Sequence, residues 1–139
     1  MELKQYVVDA FTQQLFAGNP AAVVVLDAFL EIDLMQKIAA ENNLSETAFV
    51  VCQNDVYQIR WFSPLTEIDF CGHASLASAY VLQRFYAAGE HIVFGCALLG
   101  EFKINIAADG LISMVFPNRA PTEIASIPEA LLAGLSLAP

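Results

Sequence analysis

The stretch His73-Ala74-Ser75-Leu76-Ala77-Ser78-Ala79-Tyr80-Val81-Leu82-Gln83-Arg84-Phe85 is helical in propensity and small or apolar nearly all round. A helix without a charged face is normally enclosed by protein. Its alanines and serines leave room for strands to come close on several sides. The fold expected from this stretch is α+β, a mostly antiparallel sheet curled around a central helix.

The flanking segments supply the strands. Residues 3–10 and 21–26 read as β-branched runs separated by a turn at Gly18-Asn19-Pro20. A helix is expected over about 31–42, where Leu34 with Ile38 and Met35 with Ala39 form i,i+4 pairs and Asn42-Asn43 end it. Thr47–Cys52 reads as a buried strand. Val56–Phe62 alternates, with Tyr57, Ile59 and Trp61 on one face and Gln58 and Arg60 on the other, and Asn54-Asp55 makes the two a hairpin. Further strands are expected at 91–95, 101–106 and 111–116, with a second hairpin turn at Asp109-Gly110. Such a succession points to antiparallel pairing and not to alternating βαβ units. Beyond Pro117 the pattern weakens: Pro121 and Pro128 punctuate a linker, and Pro128–Leu137 reads as the start of a short helix.

A chain of 139 residues is one domain's worth, and its 57% apolar and 15% charged residues describe a packed globule. No apolar run reaches the roughly 18 residues of a membrane span. Glu2 and Asp9 stand where an export signal would be basic and then apolar, so a cytoplasmic location is expected. Fifteen acidic against six basic residues give a net charge of −9, which disfavours nucleic acid and anionic membranes as partners. An anionic substrate must then be held by local donors. Cys52, Cys71 and Cys96 are an odd set without CxxC spacing, as reduced thiols would be.

Two places can carry chemistry. Glu46 lies between a helix end and an apolar strand, where Phe49 and Val50 would partly desolvate it and suit it to a general base; the plainer alternative is a solvated turn glutamate. Asp69-Phe70-Cys71-Gly72-His73 opens the buried helix. Gly72 admits a ligand close to the backbone, free N–H groups of the first turn form an anion site, and His73 there would be neutral and able to exchange a proton. The alternative is a histidine that merely satisfies a neighbouring carbonyl. Cys71 shares the electropositive end as an activated thiol or, more simply, a buried structural cysteine. His91 has no metal-ligand spacing to His73 or to any cysteine, so no metal site is expected. Phosphate-binding glycine loops and a Gly-x-Ser-x-Gly elbow are missing from the sequence.

The segments Val8–Thr12, Gly18–Val23, Ile38–Phe49, Arg60–Pro64 and Cys71–Ala77, closed by Phe116-Pro117, resemble PhzF-like (phenazine biosynthesis-like) isomerases in identity, order and spacing. The resemblance spans nearly the whole chain, which matches about the first half of a typical member. It implies the diaminopimelate epimerase-like fold, in which each half wraps strands around a central helix and the active site lies between the halves. It also implies isomerisation of a small carboxylic acid by proton removal and return, without cofactor, metal or redox change. On the matching positions, Glu46 is the catalytic base and His73 assists it, while Ser45, Gly72, Asn19 and Cys71 line the substrate. Cys71 is a departure: it stands where diaminopimelate epimerase has one of two catalytic cysteines and other PhzF-like proteins have alanine. The implied layout is an N-terminal domain over 1–120, with 121–139 the start of a linker or of a truncated second half. A homodimer is the expected assembly. The alternatives are a self-pairing half-protein or a non-catalytic binding or structural module.

Overall fold

The computed structural model describes residues 2–116, 118 and 120–135. Its strands are β1 (Gln5–Ala10), β2 (Asn19–Leu26), β3 (Glu46–Gln53), β4 (Val56–Phe62), β5 (Glu67–Ile68), β6 (His91–Cys96), β7 (Gly100–Ile106) and β8 (Ile112–Val115). The helices are α1 (Ile32–Asn42), α2 (Gly72–Tyr86) and α3 (Glu129–Gly134). The strands form one sheet in the order β1-β2-β3-β4-β6-β7-β8, with β5 on β4, curled into a half-barrel.

The expected class is the observed one, with one correction. Most neighbours are antiparallel, but β2–β3 and β4–β6 are parallel. A parallel join needs a crossover, and the two long helices are those crossovers: α1 links β2 to β3 and α2 lies between β4 and β6. The two βαβ units are hidden in the sequence because hairpins surround them.

Burial on both faces explains the continuous apolar runs of β2 and β3. On the inner face Ala21, Val23, Ala48, Val50, Ile59 and Trp61 pack with α2, while on the outer face Val24, Phe49 and Phe62 cover Met35 and Ala39 of α1. Met35 and Ala39 are the buried stripe of α1; Leu34 is exposed. α1 ends as expected, with Asn43 left-handed (φ 50°) and its N–H donating to Ala39 O.

α2 fills the curl, packing against β1, β2, β3 and β8. Its residues Ala74, Ser75, Ala77, Ser78, Ala79, Val81 and Leu82 are buried, and Tyr80 is the exposed one among them. Two serines survive in this core because Ser75 Oγ donates to Cys71 O and Ser78 Oγ to Ala74 O, each at 2.7 Å. These back-bonds satisfy the hydroxyls inside the helix itself.

Both hairpin turns fall where expected. Asn54 and Asp55 have φ of 51° and 65°, the pair of positive values that a tight hairpin of this hand requires, and Gly110 has φ 84°. The turn placed at Gly18-Asn19-Pro20 is corrected: Asn19 and Pro20 already belong to β2, paired with Ala10 and Asp9. The reversal is the loop before them, where Asp9 Oδ2 accepts the Phe16 N–H at 2.9 Å. Gly18 is needed for close approach, since a Cβ there would collide with the Ala10 carbonyl oxygen. The short helix after Pro128 is α3; Pro117 and Leu137 lie outside the described residues.

The account of α2 makes a direct prediction. Ala77 is 1% exposed, so Ala77→Leu overpacks the curl and should lower unfolding stability by about 1–3 kcal/mol in a denaturant titration. An unchanged midpoint and slope would mean that the sheet does not close on this helix.

Candidate active site

Topology brings the two candidate segments to one end of the sheet. β2 and β3 run parallel with Ala21 opposite Glu46, so both strands begin there. β4 runs antiparallel to β3 with Phe62 opposite Thr47, so β4 ends there, and α2 starts shortly afterwards. Glu46, the first residue of β3, therefore meets the first turn of α2.

The meeting is close. Glu46 Oε2 lies 3.1 Å from His73 Nε2, with side chains 17% and 10% exposed. Both atoms are shut off from solvent, and neither makes a hydrogen bond. Buried polar groups are almost always paired, so two unpaired ones side by side are a reserve of bonding capacity. On the other side of the ring, His73 Nδ1 lies 3.2 Å from Cys71 Sγ. The Phe11 ring sits 6.5 Å from the imidazole, centre to centre, and is itself exposed.

The remaining candidates gather round this contact in different degrees. Ser45 Oγ donates to Asn19 Oδ1 at 3.2 Å across the starts of β3 and β2, and both residues are exposed. Gly72 opens α2 and has room: a Cβ there would meet only Met114 Cε of β8, at 3.7 Å. Its small size is thus not forced by the surrounding protein. The first turn of α2 holds no acidic residue, and its N-cap, Cys71, makes no side-chain capping bond. The helix start is left as an anion-attracting end.

Of the two readings of Cys71, the activated thiol is corrected. Burial pushes its pKa up to about 12, the Glu46 charge adds to the rise, and backbone N–H groups of Ala74 and His73 offset only part of it. At neutral pH it is a thiol.

Sequence reasoning missed Asn42. Its Nδ2 donates to Thr47 Oγ1 and to Gln5 Oε1, both at 2.9 Å, tying the end of α1 to β1 and to the residue after Glu46. Asn42 was legible as a helix end; its second task depends on a strand 37 residues away. A groove of about 630 Å³, lined by Phe29, Gln58, Arg60, Trp61, Glu67 and Gly95 among others, contains none of the candidate residues. Its strongest charges already satisfy each other, Arg60 holding Glu67 through two bonds of 2.7 Å.

Comparison with known proteins agrees with this architecture. The family model described as phenazine biosynthesis-like protein matches residues 8–138. An uncharacterized isomerase of Pseudomonas aeruginosa is 45% identical over 138 residues, covering 99% of this chain and 52% of the relative. A solved structure of a phenazine biosynthesis PhzC/PhzF protein from Clostridium difficile is 42% identical with a TM-score of 0.84, over 99% of this chain and 52% of that one. A PhzF-family structure from Enterococcus faecalis is 41% identical with a TM-score of 0.80, over 96% of this chain and 50% of that one. The chain thus spans about half the length of these relatives. With a family model over nearly all its length and a matching fold, the chain belongs to the phenazine biosynthesis-like (PhzC-PhzF) family.

Proposed function

We propose that this chain supplies the base-bearing half of a cofactor-independent isomerase that moves a proton on a small carboxylic acid. The observation that supports it best is the contact of Glu46 with His73, 3.1 Å apart and both buried without hydrogen-bond partners. A general base needs an unengaged oxygen shielded from bulk water, and Glu46 Oε2 is one. Names of relatives as isomerases point the same way.

In this reading the substrate carboxylate settles on the first turn of α2, beside Gly72, where backbone N–H groups and the helix dipole favour negative charge. Ser45 and Asn19 provide polar contacts at the rim, and Cys71 contributes shape as a neutral thiol. Glu46 takes a proton from carbon; the electron pair left behind is drawn towards the bound carboxylate and the helix end. The proton then returns from Glu46, directly or through His73, to a different carbon on the same face. No electron leaves the substrate.

The second wall comes from outside these residues, from a second domain or a second subunit of a homodimer. Residues 1–120 form the N-terminal domain, and 121–139 lead towards that second half. α3, which buries no residue against the described core, suits a connecting segment. A cytoplasmic setting fits reduced cysteines and the −9 charge.

In the complete enzyme, Glu46→Gln keeps size and removes the base. Turnover, read as solvent deuterium entering the substrate, should fall roughly a thousandfold, about 4 kcal/mol of barrier. Circular dichroism should be unchanged. Full deuterium incorporation by the folded variant would sink the mechanism.

The pH profile separates Glu46 from Cys71. A thiolate base with a pKa of about 12 would make kcat/KM climb about tenfold per pH unit through the alkaline range. If Cys71 is not the base, no such climb is expected between about pH 8 and 10, and observing one would transfer the role to Cys71.

A further inference from the structure

The loop that joins β1 to β2 shows water three large apolar side chains: Phe11 is 73% exposed, Leu15 83% and Phe16 95%. A monomer rarely gathers so much apolar area in one short loop without a use for it. We propose that residues 11–18 are the contact through which two copies of this chain pair about a two-fold axis.

The loop is braced. Asp9 Oδ2 accepts the Phe16 N–H at 2.9 Å, and Thr12 Oγ1 accepts the Gln14 N–H at 3.0 Å. Phe11 and Phe16 stand at φ of 66° and 63°, a left-handed backbone that bulky residues seldom adopt. Apolar groups already held outward by such a loop lose less freedom when a partner covers them.

Charge selects the partner. Two molecules of net charge −9 repel wherever acidic surfaces meet, so a contact between copies has to be uncharged. Asp9 and Asp27 bracket the longest stretch of this sequence without a charged side chain. Its β2 part is largely buried, and the loop is the part that faces water. Gln13 and Gln14 are both exposed, and their amides donate and accept, so they can match their own copies across a two-fold axis. Area agrees. With roughly 150–250 Å2 for an aromatic side chain, the three apolar groups offer about 450 Å2 per copy. A pair then hides close to the ~1,000 Å2 at which specific interfaces begin, so the dimer is a weak one.

The loop also borders the candidate site, with the Phe11 ring 6.5 Å from that of His73, centre to centre. A second copy seated there gives the homodimer form of the proposed second wall a definite surface. The pairing itself needs only the loop, and it stands whether or not Glu46 is a base.

Sedimentation velocity on the 139-residue chain, from about 1 μM to about 1 mM, tests it. The chain should pass from monomer to dimer across that range. Added salt should move the transition to lower concentration by screening the −9 charge. Leu15→Asp combined with Phe16→Asp should weaken pairing by about tenfold or more while circular dichroism stays unchanged, both positions being exposed. Leu98→Asp, at an exposed position between β6 and β7, should leave pairing as it was. A dimer that survives the double substitution, or one that loosens with salt, would overturn the proposal. So would a chain still monomeric at about 1 mM, which would hand the loop to a second domain instead. Sedimentation reads no turnover, so a missing dimer leaves the base mechanism standing, and a fully active Glu46→Gln enzyme leaves the dimer standing.

Discussion

A fifteen-residue helix that offers water little beyond Tyr80 and its last turn has to be wrapped. That need shapes the rest of the molecule. Burying α2 removes apolar surface from water on several faces at once, and a single flat sheet cannot do this; a sheet that curls can. Small residues, from Ala74 to Ala79, set how near the strands come. Ser75 and Ser78 are tolerated because each returns its hydroxyl to the helix's own carbonyls.

Wrapping the helix also decides where chemistry can occur. Once α2 lies inside the curl, its N-terminus must emerge at one end of the sheet. The parallel join of β2 to β3 sets Glu46 at that same end, with α1 as the crossover that makes the join possible. Asn42 then pins the crossover's end to β1 and β3. Residues 46 and 73 are thus neighbours as a consequence of two crossovers and not of any local motif. The core and the candidate site share one cause.

Much of this was legible in the sequence, and the exceptions are instructive. α2 was readable from its lack of a charged face, and β4 from alternation, because both patterns report burial directly. Asn54-Asp55 and Gly110 announced their turns through backbone conformations few residues adopt. The parallel pairings were not legible: strand runs record which faces are buried and say nothing of which strand lies alongside. Pro20 was misread as part of a turn because proline usually punctuates, whereas here it starts a strand opposite Asp9. Cys71 was ambiguous since its position at a helix start favours a thiolate and its burial opposes one; burial and the adjacent Glu46 prevail. Glu46 and His73 could be singled out individually, but their contact is a property of the closed fold.

The central claim is that closure, and it can be measured without any substrate. In the folded chain, isotope-edited NMR can look for nuclear Overhauser effects between the Glu46 side-chain methylenes and the two His73 ring protons that flank Nε2. Atoms 3.1 Å apart at Oε2 and Nε2 should give a clear cross-peak. A Glu46 side chain with no cross-peak to the His73 ring, in a chain whose Ala48 and Ala77 core signals are otherwise assigned and dispersed, would contradict the account.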